Sequence, residues 1–282
     1  MKYLILGSEG QIGRSLVEFV LRGGDEVIRF DIRIDPAQDL RLFEPTSHMK
    51  FLEAAVEECD FIFFLAWDVG GSKYLFETEY TFDFVHNNVS IMKNVFSVIN
   101  KYKKPFVFTS SQMAAMSHSP YGNTKLLGER YTKTLGGISV RLWNVYGYEK
   151  VDERSHVITD FINMAENDGL IRMRTTGKEK RQFLYVEDCC EALVVLSKIY
   201  NDVSRDEDLH ISSYSWITIK KIAHIISSAY GCKYVKGKLE DNVQMAIQEK
   251  PNKNMLKYWK PKTSVKEGIK NLIKQFRTDV EL

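Results

Sequence analysis

The chain reads as an α/β protein, with a doubly wound parallel sheet built by its amino-terminal half and a smaller carboxy-terminal lobe. Three observations predict this. Short runs of β-branched and aromatic residues, too apolar for half-exposed strands, alternate with helical patterns up to about residue 145. The first run turns directly into a glycine-rich loop and then a helix, the connection with which a parallel sheet receives a phosphate. Beyond residue 146 the alternation gives way to charged loops and amphipathic helices. The expected boundaries are therefore 1–146 for the sheet domain and 147–282 for the lobe, with some lobe segments returning to the sheet.

Composition removes other classes. A chain of 282 residues buries a large core without further domains. A net charge of +2 gives no electrostatic case for nucleic acid or an anionic membrane. Cys59, Cys189, Cys190 and Cys232 lack metal-ligand spacing and two are adjacent, so neither a disulfide framework nor a metal site is expected. No run reaches the roughly 18 apolar residues needed to span a bilayer, and the amino terminus turns to glycine too soon for a signal peptide. The expected setting is a reducing cytoplasm.

Residues 3–6 form the first buried strand, followed by Gly7, Gly10 and Gly13, with Gln11 and Ile12 between the last two, and a helix over 14–22. Glycine at these steps lets the turn tighten, lets backbone N–H groups approach a pyrophosphate, and lets the helix pack on the strand. The next strand, 26–30, ends at Asp31, placed to accept from an adenosine ribose diol and to repel a 2′-phosphate. NAD is thus favoured over NADP, while Arg29 and Arg33 pull the other way. Asp39 and Leu40, after a turn containing Pro36, either close over an adenine or form a solvated loop. A helix over 51–58 leads to a strand over 60–66, whose end, Leu65 and Ala66, lies beside the dinucleotide, Ala66 being small enough for close approach. Trp67 follows as a substrate contact or as packing. In the helix over 81–102, Asn88 interrupts the apolar stripe of Phe84, Ile91, Val95 and Val98. A buried asparagine needs partners, here the active-site backbone or, through water, the lysine described next.

The strand over 106–111 ends in Ser110 and Ser111, and Tyr121 and Lys125 follow on one face of a helix, four residues apart. A phenol near pKa 10 is a poor base at neutral pH, and a neighbouring ammonium lowers that value. Tyr121 then carries a proton while the Ser111 hydroxyl holds the same substrate oxygen. A strand over 138–143 ends at Asn144, a ligand contact or a turn former. Cations concentrate over 172–188. Charge runs are commonly solvated faces, but arginine holds diphosphates bidentately, and Arg181 is the residue assigned to that role. His156 reads as structural or surface rather than as a base, because no neighbour in sequence tunes it. Helices over 188–200 and 217–230, a strand near 209–212 and a hydroxyl-before-glutamate cap ahead of a final amphipathic helix complete the chain.

With these residues in place the chain resembles the extended short-chain dehydrogenase/reductase family, in particular its nucleotide-sugar epimerases and dehydratases, over nearly the whole length. Gly7, Gly10 and Gly13 match the glycine fingerprint, Asp31 the ribose acid, Asp39 and Leu40 the adenine contact, Leu65 and Ala66 the post-strand motif, and Asn88 the helix asparagine. Ser111, Tyr121 and Lys125 match the catalytic triad, and Asn144 and Arg181 the nucleotide-sugar contacts. The resemblance implies a Rossmann-like fold, NAD, a nucleotide-diphosphate sugar bound by the lobe, and a homodimer formed through the helices of Asn88 and Tyr121. Two departures narrow the chemistry. Gln112 and Met113 stand where family dehydratases carry an acidic pair or Ser-Glu, and where 3,5-epimerases and GDP-fucose synthases carry a cysteine. Dehydration and 3,5-epimerisation are therefore not expected, and Gln112 joins Trp67 among the substrate contacts. The stretch from Trp67 to Gly71 resembles the loop of GDP-mannose 3,5-epimerases, which favours a GDP-linked sugar. The expected reaction is NAD-dependent oxidation at C4 of a nucleotide sugar, by a 4-epimerase or net 4-dehydrogenase of surface-glycan sugar biosynthesis. The alternatives are an NAD(P)H-dependent 4-keto-sugar reductase and a non-catalytic dinucleotide-binding regulator.

Overall fold

The computed structural model describes residues 1–42, 48–240 and 250–279. The amino-terminal half contains β1 (Lys2–Leu6), α1 (Gln11–Arg22), β2 (Glu26–Phe30), α2 (His48–Glu58), β3 (Phe61–Phe64), α3 (Ser72–Thr78), α4 (Phe82–Tyr102), β4 (Phe106–Ser111), α5 (Pro120–Thr134) and β5 (Ile138–Leu142). Then come β6 (Asn144–Tyr146), α6 (Val157–Asp168), β7 (Leu170–Arg172), β8 (Lys180–Arg181), β9 (Phe183–Tyr185), α7 (Val186–Lys198), β10 (Leu209–Ile211), β11 (Ile217–Thr218), α8 (Ile219–Tyr230), β12 (Lys233–Val235) and α9 (Val265–Asp279).

Among the described residues six strands form one sheet in the order β10, β5, β4, β3, β1, β2, every pair parallel. The chain runs outward from β1 to β2 and then crosses back to β3, so the strand order reverses between β1 and β3. Parallel sheets open a ligand crevice at such a reversal, beyond the carboxyl ends of the strands. Both faces of the sheet are covered. Tyr3, Ile5, Phe61, Phe63 and Val107 pack with Leu16, Val20 and Leu193 on one side, whereas Leu4, Leu6, Ile62, Phe64 and Phe108 pack with Val56, Val95 and Phe96 on the other. Two-sided burial is why these strands read as continuous apolar runs rather than alternating ones.

The carboxy-terminal half contributes β10, which pairs Leu209 with Val140, and α7, which packs in the same core as α1. Its other strands pair in twos, β6 with β9, β7 with β12 and β8 with β11, around α6, α8 and α9. These strands have at most three residues, too few to show a period, and with α3 they are what the sequence pattern did not display. Among the described residues no helix is long and apolar enough to cross a membrane.

One buried carboxylate docks the approach to α9. Asp188, in the first turn of α7 and 5% exposed, accepts from the backbone N–H groups of Lys262 (3.1 Å) and Thr263 (2.8 Å) and from the Thr263 hydroxyl (3.2 Å). Asp188→Ala strands these donors, and we expect a loss of about 2 kcal/mol, within the usual cost of orphaned buried groups. The check is a lowered urea midpoint with an unchanged slope. A loss below about 0.5 kcal/mol would mean that apolar contacts alone hold α9 in place.

Candidate active site

A cavity of about 890 Å³ opens beyond the carboxyl ends of β1, β3 and β4 and is lined by both halves of the chain. At one end lie Gly7, Gly10, Gln11, Ile12 and Gly13. A Cβ on Gly13 would stand 2.1 Å from the Gly7 carbonyl oxygen, so the loop closes onto the helix only with glycine there. Helix α1 starts after Gly10 with no side-chain cap and no acid in its first turn. Its first N–H groups and the positive end of its dipole therefore face the cavity ready for an anion. Asp31 is fixed at the rim: its carboxylate accepts from the backbone N–H of Glu9 (3.0 Å) and Arg33 (2.9 Å), and its own N–H donates to Gln38 (2.8 Å). Leu65, Ala66, Asp39 and Leu40 line the same end. These residues fit a dinucleotide, with a glycine cradle for the diphosphate and a rim acid for a ribose diol. Arg29, a sequence candidate for greeting a phosphate, is instead ion-paired with Glu9, which also holds Arg14 (3.2 Å). Arg33 reaches the Glu9 carbonyl (3.3 Å), and Asp39 is held in a two-pronged ion pair with Arg41 (2.8 and 2.7 Å).

Ser111 at the end of β4 and Tyr121 and Lys125 in the first two turns of α5 share one wall of the cavity. The start of α5 is fixed by Ser119, which accepts from the Gly122 N–H (3.0 Å) and donates to the buried Glu79 (2.8 Å). Lys125 is 3% exposed; its Nζ donates to the Thr109 carbonyl (2.7 Å) and stands 4.0 Å from the centre of the Trp67 ring. The expectation that this lysine acidifies the phenol is corrected here. Burial pushes Tyr121 up to about 12, and the Ser111 hydroxyl pulls weakly the other way. Burial likewise drives Lys125 well below its ordinary value, with Glu129 pulling the other way. Desolvation outweighs mutual charge for both groups. Ser110 serves structure instead, donating to Glu129 (2.6 Å), which is ion-paired with Arg141 (2.8 Å).

Gln112, Asn144, Trp67 and Arg181 all line the cavity. The Gln112 Nε2 donates to Asn144 Oδ1 (3.2 Å). Trp67 packs on Phe108 (5.5 Å between ring centres) beneath Lys125, so one ring serves as both packing and cavity wall. Arg181 is 7% exposed, and burial lowers it to about 10 against the pull of Glu179. Asn88 is a correction. Its side chain is fully buried away from the cavity wall: Oδ1 accepts from the Asp68 N–H (2.8 Å) and Nδ2 donates to the carbonyls of Asp68 and Phe84 (3.0 Å each). It holds the loop after β3 rather than a cofactor, the backbone partner rather than the lysine. That loop carries a cluster which the sequence pattern did not display. Asp68 accepts from Tyr74 Oη (2.7 Å), Asn87 Nδ2 (2.9 Å) and Arg154 Nη1 (2.9 Å), the last from the far half of the chain. His156 also differs from expectation. It lines the cavity and is tuned after all, its Nδ1 lying 2.8 Å from Glu149.

The profile of the NAD dependent epimerase/dehydratase family matches residues 3–212. The chain belongs to that family. Nucleotide-sugar epimerases, dehydratases and reductases are found among its members, as the motifs suggested. One relative of this family enzyme is the dTDP-4-dehydro-6-deoxyglucose reductase of Escherichia coli, 26% identical over 312 aligned positions that cover 97% of each chain. Among solved structures, an epimerase of Methanothermobacter thermautotrophicus superposes with a TM-score of 0.82 at 21% identity, covering 99% of this chain and 93% of its own. A GDP-6-OMe-4-keto-L-xylo-heptose reductase from C. jejuni does so at 0.80 and 19%, covering 99% and 98%. At such identities the superpositions speak for the shared fold.

His156 is the titrating group of this epimerase/dehydratase-family site with a visible pH signature. Burial pulls its value down, but contact with Glu149, aided by Asp160 and Asp152, more than reverses this, and the net shift is upward. The charged imidazole is thus favoured in the folded state. Its contribution to stability is full below the ordinary histidine value and is lost as the pH rises through the raised one. Glu149→Gln should bring the His156 midpoint down to the ordinary value or below, read from the NMR titration of its ring protons. An unmoved midpoint would remove Glu149 as the cause.

Proposed function

We propose that this enzyme reduces the C4 ketone of a nucleotide-diphosphate 4-keto sugar with NADH. The observation that carries the reading is the Tyr121 phenol, held protonated by burial and sharing one wall of the cavity with Ser111 and Lys125. A phenol with a value near 12 keeps its proton at neutral pH and is set to give it to an oxygen on which charge develops. When bound, the dinucleotide supplies hydride to the sugar carbon. Tyr121 protonates the oxygen at C4, and Ser111 holds that oxygen in line. Lys125, positioned by the Thr109 carbonyl and the Trp67 ring, would hold the nicotinamide ribose. Gly7, Gly10 and Gly13 would hold the diphosphate, and Asp31 the adenosine ribose, whose diol rather than a 2′-phosphate suits a carboxylate. The likeness to a reductase over 97% of both chains supports the same direction.

Oxidation of a C4 alcohol, in a 4-epimerase or net 4-dehydrogenase, uses these groups in reverse. It needs the phenolate, which burial disfavours, so reduction stands first. At the other end of the cavity Arg181 and Arg174 offer two guanidinium groups for the sugar diphosphate, beside the apolar Met173 and Phe183. A GDP-linked sugar is placed first. The loop after β3 favours it, and so does a 30% identity over 57% of the chain to a protein named GDP-L-fucose synthase from Sinorhizobium fredii. A pairing of two copies through α4 and α5 is part of the proposal. These helices lie side by side, as the stacked Phe96 and Tyr131 show, and they expose Phe82, Val89, Leu127 and Tyr131.

Tyr121→Phe is expected to lower kcat for 4-keto-sugar reduction by about a thousandfold, in the range for a lost acid–base group. NADH binding, followed by nicotinamide fluorescence, should be unchanged; retained turnover would take the phenol out of the chemistry. Leu127→Glu, on the face of α5 away from Tyr121, should convert a dimer into a folded monomer by sedimentation. A wild-type chain that sediments as a monomer at micromolar concentration would end the pairing proposal.

A further inference from the structure

Gln112 is a buried polar side chain of the reactive end with one hydrogen-bonding atom engaged and one open. It opens the turn that follows Ser111 and is 6% exposed, and its Nε2 is committed to Asn144 Oδ1 at 3.2 Å. Its Oε1 has no partner among the described residues, although it is sealed from bulk solvent and its residue lines the cavity. Buried acceptors are nearly always satisfied, and one left open at a site wall is an acceptor waiting for a donor. In this arrangement the nitrogen is engaged by Asn144, and the oxygen is the half of the amide left open to a donor. The turn packs closely on α5, where a Cβ on Gly122 would stand 2.0 Å from the Met113 carbonyl oxygen. Gln112 precedes Met113 and Tyr121 precedes Gly122, so the two flank this contact.

We infer that Gln112 Oε1 accepts a hydrogen bond from the sugar hydroxyl next to the reacting carbon. The inference rests on the C4 reaction proposed above. In a hexopyranose reacting at C4, the adjacent carbons are C3, which carries a hydroxyl, and C5, whose oxygen belongs to the ring and donates nothing. The C3 hydroxyl is therefore the donor that Gln112 reads. An amide oxygen accepts this bond without taking the proton, being far too weak a base at neutral pH. Gln112 thus selects a 3-hydroxy sugar and orients it while leaving the hydrogen on the carbon beside the ketone in place.

The experiment uses the full chain with NADH and two substrates, GDP-4-keto-6-deoxymannose and dTDP-4-keto-6-deoxyglucose, each alongside its 3-deoxy counterpart. Consumption of NADH is followed for the wild type, Gln112→Met and Gln112→Asn. The wild type should favour the 3-hydroxy form by roughly ten- to hundredfold in kcat/KM, the span expected when a buried acceptor loses its donor. In Gln112→Met both substrates can lose rate, because Asn144 loses its donor, but the 3-hydroxy substrate should lose more, so that the preference collapses to within about threefold, the pattern of a direct pairwise contact. Gln112→Asn, which draws the amide back by one methylene, should fall between the two. Turnover with no preference in the wild type, or equal losses on both substrates in the variants, overturns the inference while leaving the C4 reaction standing. Failure of the wild type on all four sugars overturns the C4 reading and this inference together. The wild-type comparison requires no variant to fold.

Discussion

The site depends on how closely α5 is pressed against the end of β4. Gly122 sits in the first turn of α5, where any Cβ would collide with the Met113 carbonyl. The contact brings the helix carrying Tyr121 and Lys125 down onto the strand end carrying Ser111, with the Gln112 turn as the floor between them. A helix displaced outward by a methyl group would separate the phenol from the Ser111 hydroxyl. The proposed transfer at one sugar carbon would tolerate little such error, since rate falls steeply with misplacement. The Ser119 to Glu79 hydrogen bond, buried at both ends, fixes the same helix along its axis. Packing and capping thus set the geometry before any charge is considered.

Charge then enters through its absence. The wall around Lys125 includes the Trp67 and Phe108 rings and a backbone carbonyl, and among the described residues no carboxylate is paired with its Nζ. Isolated buried charge is costly, and an ionisable group so placed shifts toward its neutral form. Tyr121 in the same wall keeps its proton for the same reason. Spacing four residues apart shows that two side chains share a helix face, but not how dry that face is. Proximity alone points to the ammonium, whereas burial shifts both groups toward their neutral forms.

What was legible in the sequence was what local chemistry specifies. Apart from α3, the strand and helix runs of the first 142 residues, the glycine cradle, Asp31, and the Ser111, Tyr121 and Lys125 wall are each set by near neighbours in the chain. The structure brings all of them to one cavity, although Gly13 and Lys125 are far apart in the chain. The unread part is made by contacts between distant segments. Arg154 meets Asp68 across 86 positions, and neither residue looks unusual in its own stretch. Asn88 was correctly placed on a buried stripe, but a stripe does not say what it faces, and its partner is a loop backbone 20 residues away. His156 lacked a visible tuning group because Glu149 reaches it across a loop of no regular period, where spacing carries no geometry. Sequence reasoning reaches as far as helical and strand periodicity, and loops lie beyond it.

The loop contacts also explain how one cavity is assembled from two halves. Asn88 clamps the backbone of Asp68, and the Asp68 carboxylate gathers Tyr74, Asn87 and Arg154. The Gly71 N–H donates to the Arg154 carbonyl (2.8 Å), so the loop after β3 and the charged loop before α6 are joined through backbone as well as side chains. The first loop stands beside the dinucleotide end, and the second leads directly to His156 and α6 in the lobe. A rivet at that point fixes the distance between the cofactor end and the lobe, independently of the reacting groups on α5. The chain thereby separates two tasks. In the proposed reaction the dry wall of β4 and α5 would set the proton chemistry, and the joined loops would set where a sugar can place its carbon. On that reading, sequence change in the short strands and loops beyond β5 would alter the sugar without disturbing Tyr121, in keeping with one fold hosting several chemistries.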